Sequence, residues 1–284
     1  MDFNNVIILL FFLTSLVNSQ EIVYQKSLGK FNEAAAFTFT PTGNFYIADV
    51  GKNEILKIDT LGNFLQSIGG YGWETSTFDE PVDIYATDLR VYVTDKNNNR
   101  IQVFDKDLNY LFLLKTNNNS DDRHNFIYPT SCATSIQGDI YILDSDNSRI
   151  MKYNSEGVFL VEFGGYDSGE YQLVDPIKLG IAHDSKLFVL GDEIVTVFDQ
   201  FGMGLFKLKL NFAATNINIT FDNFVVNDEQ ELYYLNLRNP AQKFEKIVPP
   251  KLPDDAIIVE AMILNNRLYI LTENEILVYS IIKI

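Results

Sequence analysis

The chain has 284 residues, of which 46% are hydrophobic and 13% aromatic, and a formal net charge of −16. That is enough apolar material for one sizeable core, and its Tyr, Phe, Ile and Val bias favours strands over helices. The acidity, with no Lys/Arg cluster to offset it, argues against a phosphate backbone and hence against a nucleic-acid partner.

At the amino terminus Val6–Leu13 reads VIILLFFL and is followed by Val17-Asn18-Ser19. An apolar run of this length ending in Val-x-Ser has the form of a secretory h-region and cleavage site, and it falls short of the ~20 residues that span a bilayer. Residues 1–19 are therefore expected to be a signal peptide and residues 20–284 a single secreted domain, extracellular or periplasmic, with no membrane span. Cys132 is the only cysteine, which leaves no intrachain disulfide, and it falls within an apolar strand as a small core residue.

Glu21–Leu28 then reads as a strand, and after it the chain becomes repetitive. Tyr46, Tyr92, Tyr141, Phe188, Tyr233 and Tyr269 each lie in a short apolar strand, spaced by 46, 49, 47, 45 and 36 residues. Self-similarity at such a period marks a repeat architecture. The clearest copy is residues 78–114, FDEPVDIYATDLRVYVTDKNNNRIQVFDKDLNYLFLL. Strands are expected near Val82–Ala86, Arg90–Thr94, Arg100–Phe104 and Tyr110–Leu114, joined by Asp/Asn turns as an antiparallel meander. Equivalent units run over 31–68, 126–163, 173–208, 217–247 and 256–284. The sixth unit supplies Ile276–Ile281 as a third strand and stops short of a fourth. The surplus strand at Glu21–Leu28 can complete it, which removes the exposed end between first and last units. The expected fold is thus all-β: a six-bladed β-propeller of four-stranded antiparallel blades, closed by the N-terminal strand.

The segments Asp95-Lys96-Asn97-Asn98-Asn99-Arg100-Ile101 and Asp144-Ser145-Asp146-Asn147-Ser148-Arg149-Ile150 follow Phe78-x-x-Pro81 and Phe126-x-x-Pro129. They resemble the signature of NHL-repeat propellers. The resemblance is specific in units two and three, partial in one and four, and absent from five and six. It implies the fold; propellers host unrelated activities, so it does not by itself imply a function.

Asp49, Asp95 and Asp144 each end a second strand, where a carboxylate is expected to accept the amides of the turn that follows. In a blade meander the connector into a blade and the turn between its second and third strands share a face. That face carries Tyr71, Trp73, Arg100, Arg123, His124, Tyr128, Arg149, Tyr166 and Tyr171, aromatic and arginine types that dominate binding hot spots on loops held by a rigid scaffold. The expected function is a non-catalytic binding or scaffold module, a monomer without a cofactor, for a protein, peptide or glycan.

The alternative is a metal-dependent propeller hydrolase, lactonase or lyase. Such a site needs three or four inward His, Asp, Glu or Asn ligands. The inner-strand column that approaches the channel mouth reads Ala36, Asp83, Ser131 and Lys178, one acid and one base, the last three each two residues after a proline. His124 and His183 are the only histidines, and no G-x-S-x-G nucleophile elbow is present. No catalytic residue and no metal ligand is expected.

Overall fold

In the computed structural model, residues 21–115, 125–191, 193–239, 243–253 and 255–283 are described. The expected leader at 1–19 lies outside them. They form six four-stranded sheets. Blade one is Ala34–Phe39, Asn44–Asp49, Glu54–Asp59 and Phe64–Gly69. Blade two is Pro81–Ala86, Arg90–Asp95, Arg100–Asp105 and Tyr110–Lys115. Blade three is Pro129–Thr134, Ile140–Asp144, Arg149–Tyr153 and Phe159–Phe163. Blade four is Lys178–Ile181, Leu187–Leu190, Ile194–Phe198 and Gly204–Lys209. Blade five is Asn216–Thr220, Asn223–Asn227, Leu232–Asn236 and Glu245–Ile247. Blade six is Ile258–Leu264, Arg267–Thr272 and Ile276–Lys283, with Glu21–Leu28 as its outer strand.

Closure is therefore made by the N-terminal strand. Ile22 lies opposite Ile281 and Ser27 opposite Leu277 in an antiparallel ladder. In blades one to five the chain moves outward from the axis strand by strand, and in blade six it does so over three strands before the N-terminal strand takes the outer edge.

The apolar pattern of the second strands has a direct cause. Each blade is sandwiched between two neighbours, so both faces of its central strands are covered and Phe45, Tyr46, Ile47 and Ala48 are all buried. The core is split into six clusters, one at each blade-to-blade seam; that between blades one and two joins Tyr46 and Ile55 to Phe78, Val93 and Phe104. Each fully buried Phe or Ile contributes about 1.5–3 kcal/mol. The seam between blades six and one is as well filled as the others, with Phe37 and Phe45 against Tyr269 and Leu271.

The recurring tyrosines also latch blades together. Tyr46 donates from its hydroxyl to the Lys106 carbonyl (2.6 Å) in the outer hairpin of blade two, and Tyr141 to the Gln200 carbonyl (3.2 Å) in blade four. Burial, with Asp107 and Asp105 adding, pushes the Tyr46 hydroxyl up to about 12. Blade five departs from the expected rhythm. Tyr233 sits on its third strand, and the aromatic residue of its second strand is Phe224. The main reason is a short connector: six residues, 210–215, separate Lys209 from Asn216, against 70–80 ahead of blade two and 164–177 ahead of blade four. A two-residue hairpin, Phe221-Asp222, with Thr220 opposite Asn223, adds to it and brings Phe224 earlier than the repeat period anticipates.

Among the described residues no helix is long and apolar enough to cross a membrane.

Candidate functional site

On one face, the connectors between blades lie against the turns that join second and third strands. In blade two the Lys96 and Asn97 amides donate to the Glu80 and Asp79 carbonyls, and Asn98 Nδ2 donates to the Gly72 carbonyl (2.9 Å). The recurrent motif Asp is the clamp. Asp95 accepts the Asp79 amide (2.8 Å), Asn98 Nδ2 and Arg100 Nε (2.6 Å). Asp49 likewise accepts the Asn32 and Glu33 amides, and Asp144 the Ile127 amide. These carboxylates thus take main-chain amides from the connector ahead of the first strand rather than from the turn that follows them. The connector crosses the end of the second strand, and its amides have no ladder partner to satisfy them. Burial pushes the Asp95 carboxyl above its ordinary value, against the lowering pull of the Asp79 amide, Arg100 and Asn98.

Arg100 is buried and finishes the clamp. Its Nη1 donates to the Trp73 carbonyl (2.6 Å), and its Nη2 to the Glu74 (3.0 Å) and Thr77 (2.9 Å) carbonyls. Arg149 repeats the arrangement in blade three, with Asp144 at Nε (2.8 Å), Glu162 at Nη1 and the Asn125 carbonyl at Nη2 (2.6 Å). Both guanidiniums therefore hold connectors in place. Turn asparagines then tie each blade to the next: Asn53 Oδ1 accepts the Glu80 amide and Asn99 Oδ1 the Tyr128 amide. Glu80, Tyr128 and Asp175 all precede a proline and adopt positive φ (63°, 46° and 43°), so those asparagine contacts in blades two and three secure a conformation that a side-chain-bearing residue resists. Gly69, with φ 139°, opens the connector where a Cβ would lie 2.4 Å from the Asn53 carbonyl oxygen.

On this framework Tyr71, Trp73 and Tyr166 stand out into solvent at 69%, 70% and 86% exposure, and Tyr128 is half-exposed. Tyr71 and Trp73 flank Gly72, which Asn98 holds, while Asn99 of the same turn holds Tyr128; Gly165 abuts Arg149 and leads into Tyr166. Tyr166–Tyr171 forms a short 3-10 segment. Tyr171 is turned inward, its ring against Gly204 and Phe198 and its hydroxyl donating to the Leu205 carbonyl (3.2 Å). Arg123 and His124 lie outside the described residues. Of the nine candidate positions, four are displayed, three are built into the scaffold, and two fall outside the description.

The axis carries a second constellation, which the sequence shows only in part. Asp83, Ser131 and Lys178 converge there, and Glu260 of blade six and Asn218 of blade five join them. Lys178 Nζ donates to Asp83 Oδ1 (2.6 Å) and lies 3.7 Å from Glu260 Oε1. Ser131 Oγ donates to Asp83 Oδ2 (2.6 Å), which also accepts the Cys132 amide, and Asn218 Nδ2 donates to Glu260 Oε1 (2.8 Å). The Phe37 amide donates to Glu260 Oε2 (3.1 Å). The column therefore holds two acids and not one. Glu260 is missed because blades five and six carry no proline motif to align it. The register shift between Ile258 and Glu260 is the available signal, since blade two has the same bulge between Pro81 and Asp83.

Burial pulls the Lys178 ammonium down, but Asp83 and Glu260 outweigh it and hold its pKa above the usual value. Burial pushes Glu260 up, with Lys178 opposing and Asp83 adding. The position between the two carboxylates that a cation would take is filled by Lys178 itself. Among the described residues, no three His, Cys, Asp or Glu side chains come together in a way that could hold a metal ion. Burial, with the Asp83 carboxylate adding, raises the Cys132 thiol pKa, which keeps it un-ionised and unsuited to nucleophilic attack. His183 is exposed in the hairpin turn of blade four.

The NHL repeat family model matches residues 78–104, the first three strands of blade two with part of its connector. The chain is 29% identical over 107 residues to protein brain tumor of Drosophila melanogaster, a stretch that is 34% of this chain and 10% of that relative. Among solved structures it is similar to a catalytically inactive virginiamycin B lyase from Staphylococcus aureus crystallised with quinupristin. The TM-score is 0.65 at 12% identity, over 93% of this chain and 100% of that one. A streptogramin B lyase gives a TM-score of 0.59 at 12% identity, over 93% and 97% of the two chains. At that identity the likeness is one of fold. This chain carries an NHL repeat within a six-bladed propeller.

Proposed function

We propose that the protein is a non-catalytic recognition module whose connector face binds a protein, peptide or glycan partner. One observation carries the reading: Tyr71, Trp73 and Tyr166 are exposed to solvent, the first two on main chain pinned from beneath by the buried Asp95–Arg100 pair and Tyr166 on a 3-10 turn anchored by Tyr171, whose hydroxyl donates to the Leu205 carbonyl. Large aromatic groups exposed on a rigid base lose little conformational entropy on binding, which is the property of an interface anchor. Exposed Glu74, Asp146, Asp167 and Glu170 share these loops. They favour a partner that brings Lys or Arg to the rings and carboxylates.

The test is affinity capture by the wild-type protein and by a Trp73→Ala/Tyr166→Ala variant of equal stability. Partners retained by the wild type and lost by the double variant support the reading; an identical set of captured partners refutes it. Export is the companion proposal, supported by the Val6–Leu13 run. It predicts that protein recovered from the culture medium begins at Gln20, and recovery of unprocessed chain from the cell interior alone counts against it.

A further inference from the structure

The axis is a blind funnel. A cavity of about 640 Å³ opens on the opposite face, among the turns between first and second strands, and all six blades contribute to its wall. Its floor is the Asp83–Lys178–Glu260 cluster, and nothing from the connector side of that cluster lines it. The wall between floor and mouth is largely apolar, including Phe39, Ile84, Ile181, Ile219 and Met262, and the rim holds Ile136 and Phe221 at 75% and 58% exposure.

Two observations distinguish this cavity from a mere gap between blades. Its volume lies in the range of small-molecule sites, about 300–1,000 Å³. Its wall also presents main-chain polar groups. Thr87, Ser135 and Ala182 donate across their hairpins to Arg90, Asp139 and Lys186. Antiparallel alternation then turns the amides of Ala86, Thr134 and Ile181 to the axial edge, where no strand pairs with them. The electrostatics narrow the chemistry. Two carboxylates face one ammonium at the floor, and Asp88 stands at the mouth, so an anion meets net repulsion all along the path.

We propose that this funnel binds an uncharged, mostly apolar small molecule that points a hydrogen-bond donor toward the Asp83–Lys178–Glu260 floor. The site is separate from the connector face and does not depend on what that face recognises.

The test uses the full secreted chain and N-phenyl-1-naphthylamine, an uncharged probe that fluoresces when shielded from water. One saturable equivalent per chain is expected. Ile181→Trp, which fills the funnel, should weaken binding by at least about tenfold. Ile136→Asp, at the exposed rim where folding is not at stake, should weaken it severalfold, and Trp73→Ala/Tyr166→Ala should leave it unchanged. In competition, 1-naphthamide should displace the probe at lower concentration than 1-naphthoate. Absence of saturable binding, or binding indifferent to both Ile181→Trp and Ile136→Asp, would overturn the site. If Ile181→Trp does not fold, unchanged binding by Ile136→Asp alone decides against it. Preferential displacement by 1-naphthoate would overturn the proposed ligand class.

Discussion

The connectors into blades two and five, residues 70–80 and 210–215, treat an aromatic residue in opposite ways. In blade two, Arg100 and Asp95 grip the connector from inside, and Trp73 is left outside in water. The connector into blade five has no such arginine. Its Phe212 folds down on Tyr233, with ring centroids 4.1 Å apart and planes 19° from parallel. At the position of Asp95, blade five has Asn227, whose amide reaches forward to the Asp228, Ile258 and Val259 carbonyls at 3.1–3.4 Å. Both blades have four strands, although the outer strand of blade five is only three residues long. The comparison separates two tasks. Burial at the seams makes a blade, and in blade two a charged clamp leaves the connector's aromatic residues free for display.

Removing the clamp should have the largest effect. Asp95→Ala leaves a buried guanidinium and the Asp79 amide without their acceptor, and should lower the unfolding free energy by about 3–5 kcal/mol in urea denaturation. If the loss were no larger than that of the blade-five counterpart, the clamp would be ornamental.

Next comes the axis. Lys178→Met strips the ammonium from between two carboxylates and should cost about 3 kcal/mol at neutral pH. The pH dependence follows from Glu260, whose pKa in the folded protein already lies above its ordinary 4.5. An acid so raised binds its proton more readily in the folded than in the unfolded chain, so its penalty appears as pH rises through the folded value and fades as pH falls toward 4.5. Melting temperatures of the variant should therefore approach the wild type as the solution is acidified from neutral, and a constant difference would contradict this account.

Asn227→Ala should cost only about 1 kcal/mol, because its three contacts are long and uncharged. Smallest of all, Trp73→Ala/Tyr166→Ala should change stability by less than about 0.5 kcal/mol, since both side chains are already in water. The same variant should weaken a captured partner by about 2 kcal/mol or more in a titration, as expected for anchor residues.

Much of this was legible in the residues. The strand rhythm, the blade number and the closing pair Ile22 and Ile281 all follow from alternating apolar positions and a fourth strand missing at one end. The shared face of connectors and second turns follows from meander geometry. The part that was not legible is instructive. Arg100 and Trp73 have the same appearance in sequence as surface candidates, but only the fold shows that one holds the other's main chain. Glu260 lies far from any motif, and its meeting with Lys178 and Asp83 depends on ring closure bringing blade six beside blade one. Phe224 was displaced from its expected place mainly by a six-residue connector, 210–215, and further by a two-residue hairpin, local changes that no average period anticipates.

Hydrogen-exchange footprinting of the wild-type protein with a partner it captures is the most direct test of the central claim that the connectors form the recognition face. The account predicts slowed exchange in residues 70–77 and 164–172, with the hairpins at 40–43, 135–138 and 220–223 unchanged. Protection confined to those hairpins or to the outer strands, with the connectors exchanging as in the free protein, would contradict it.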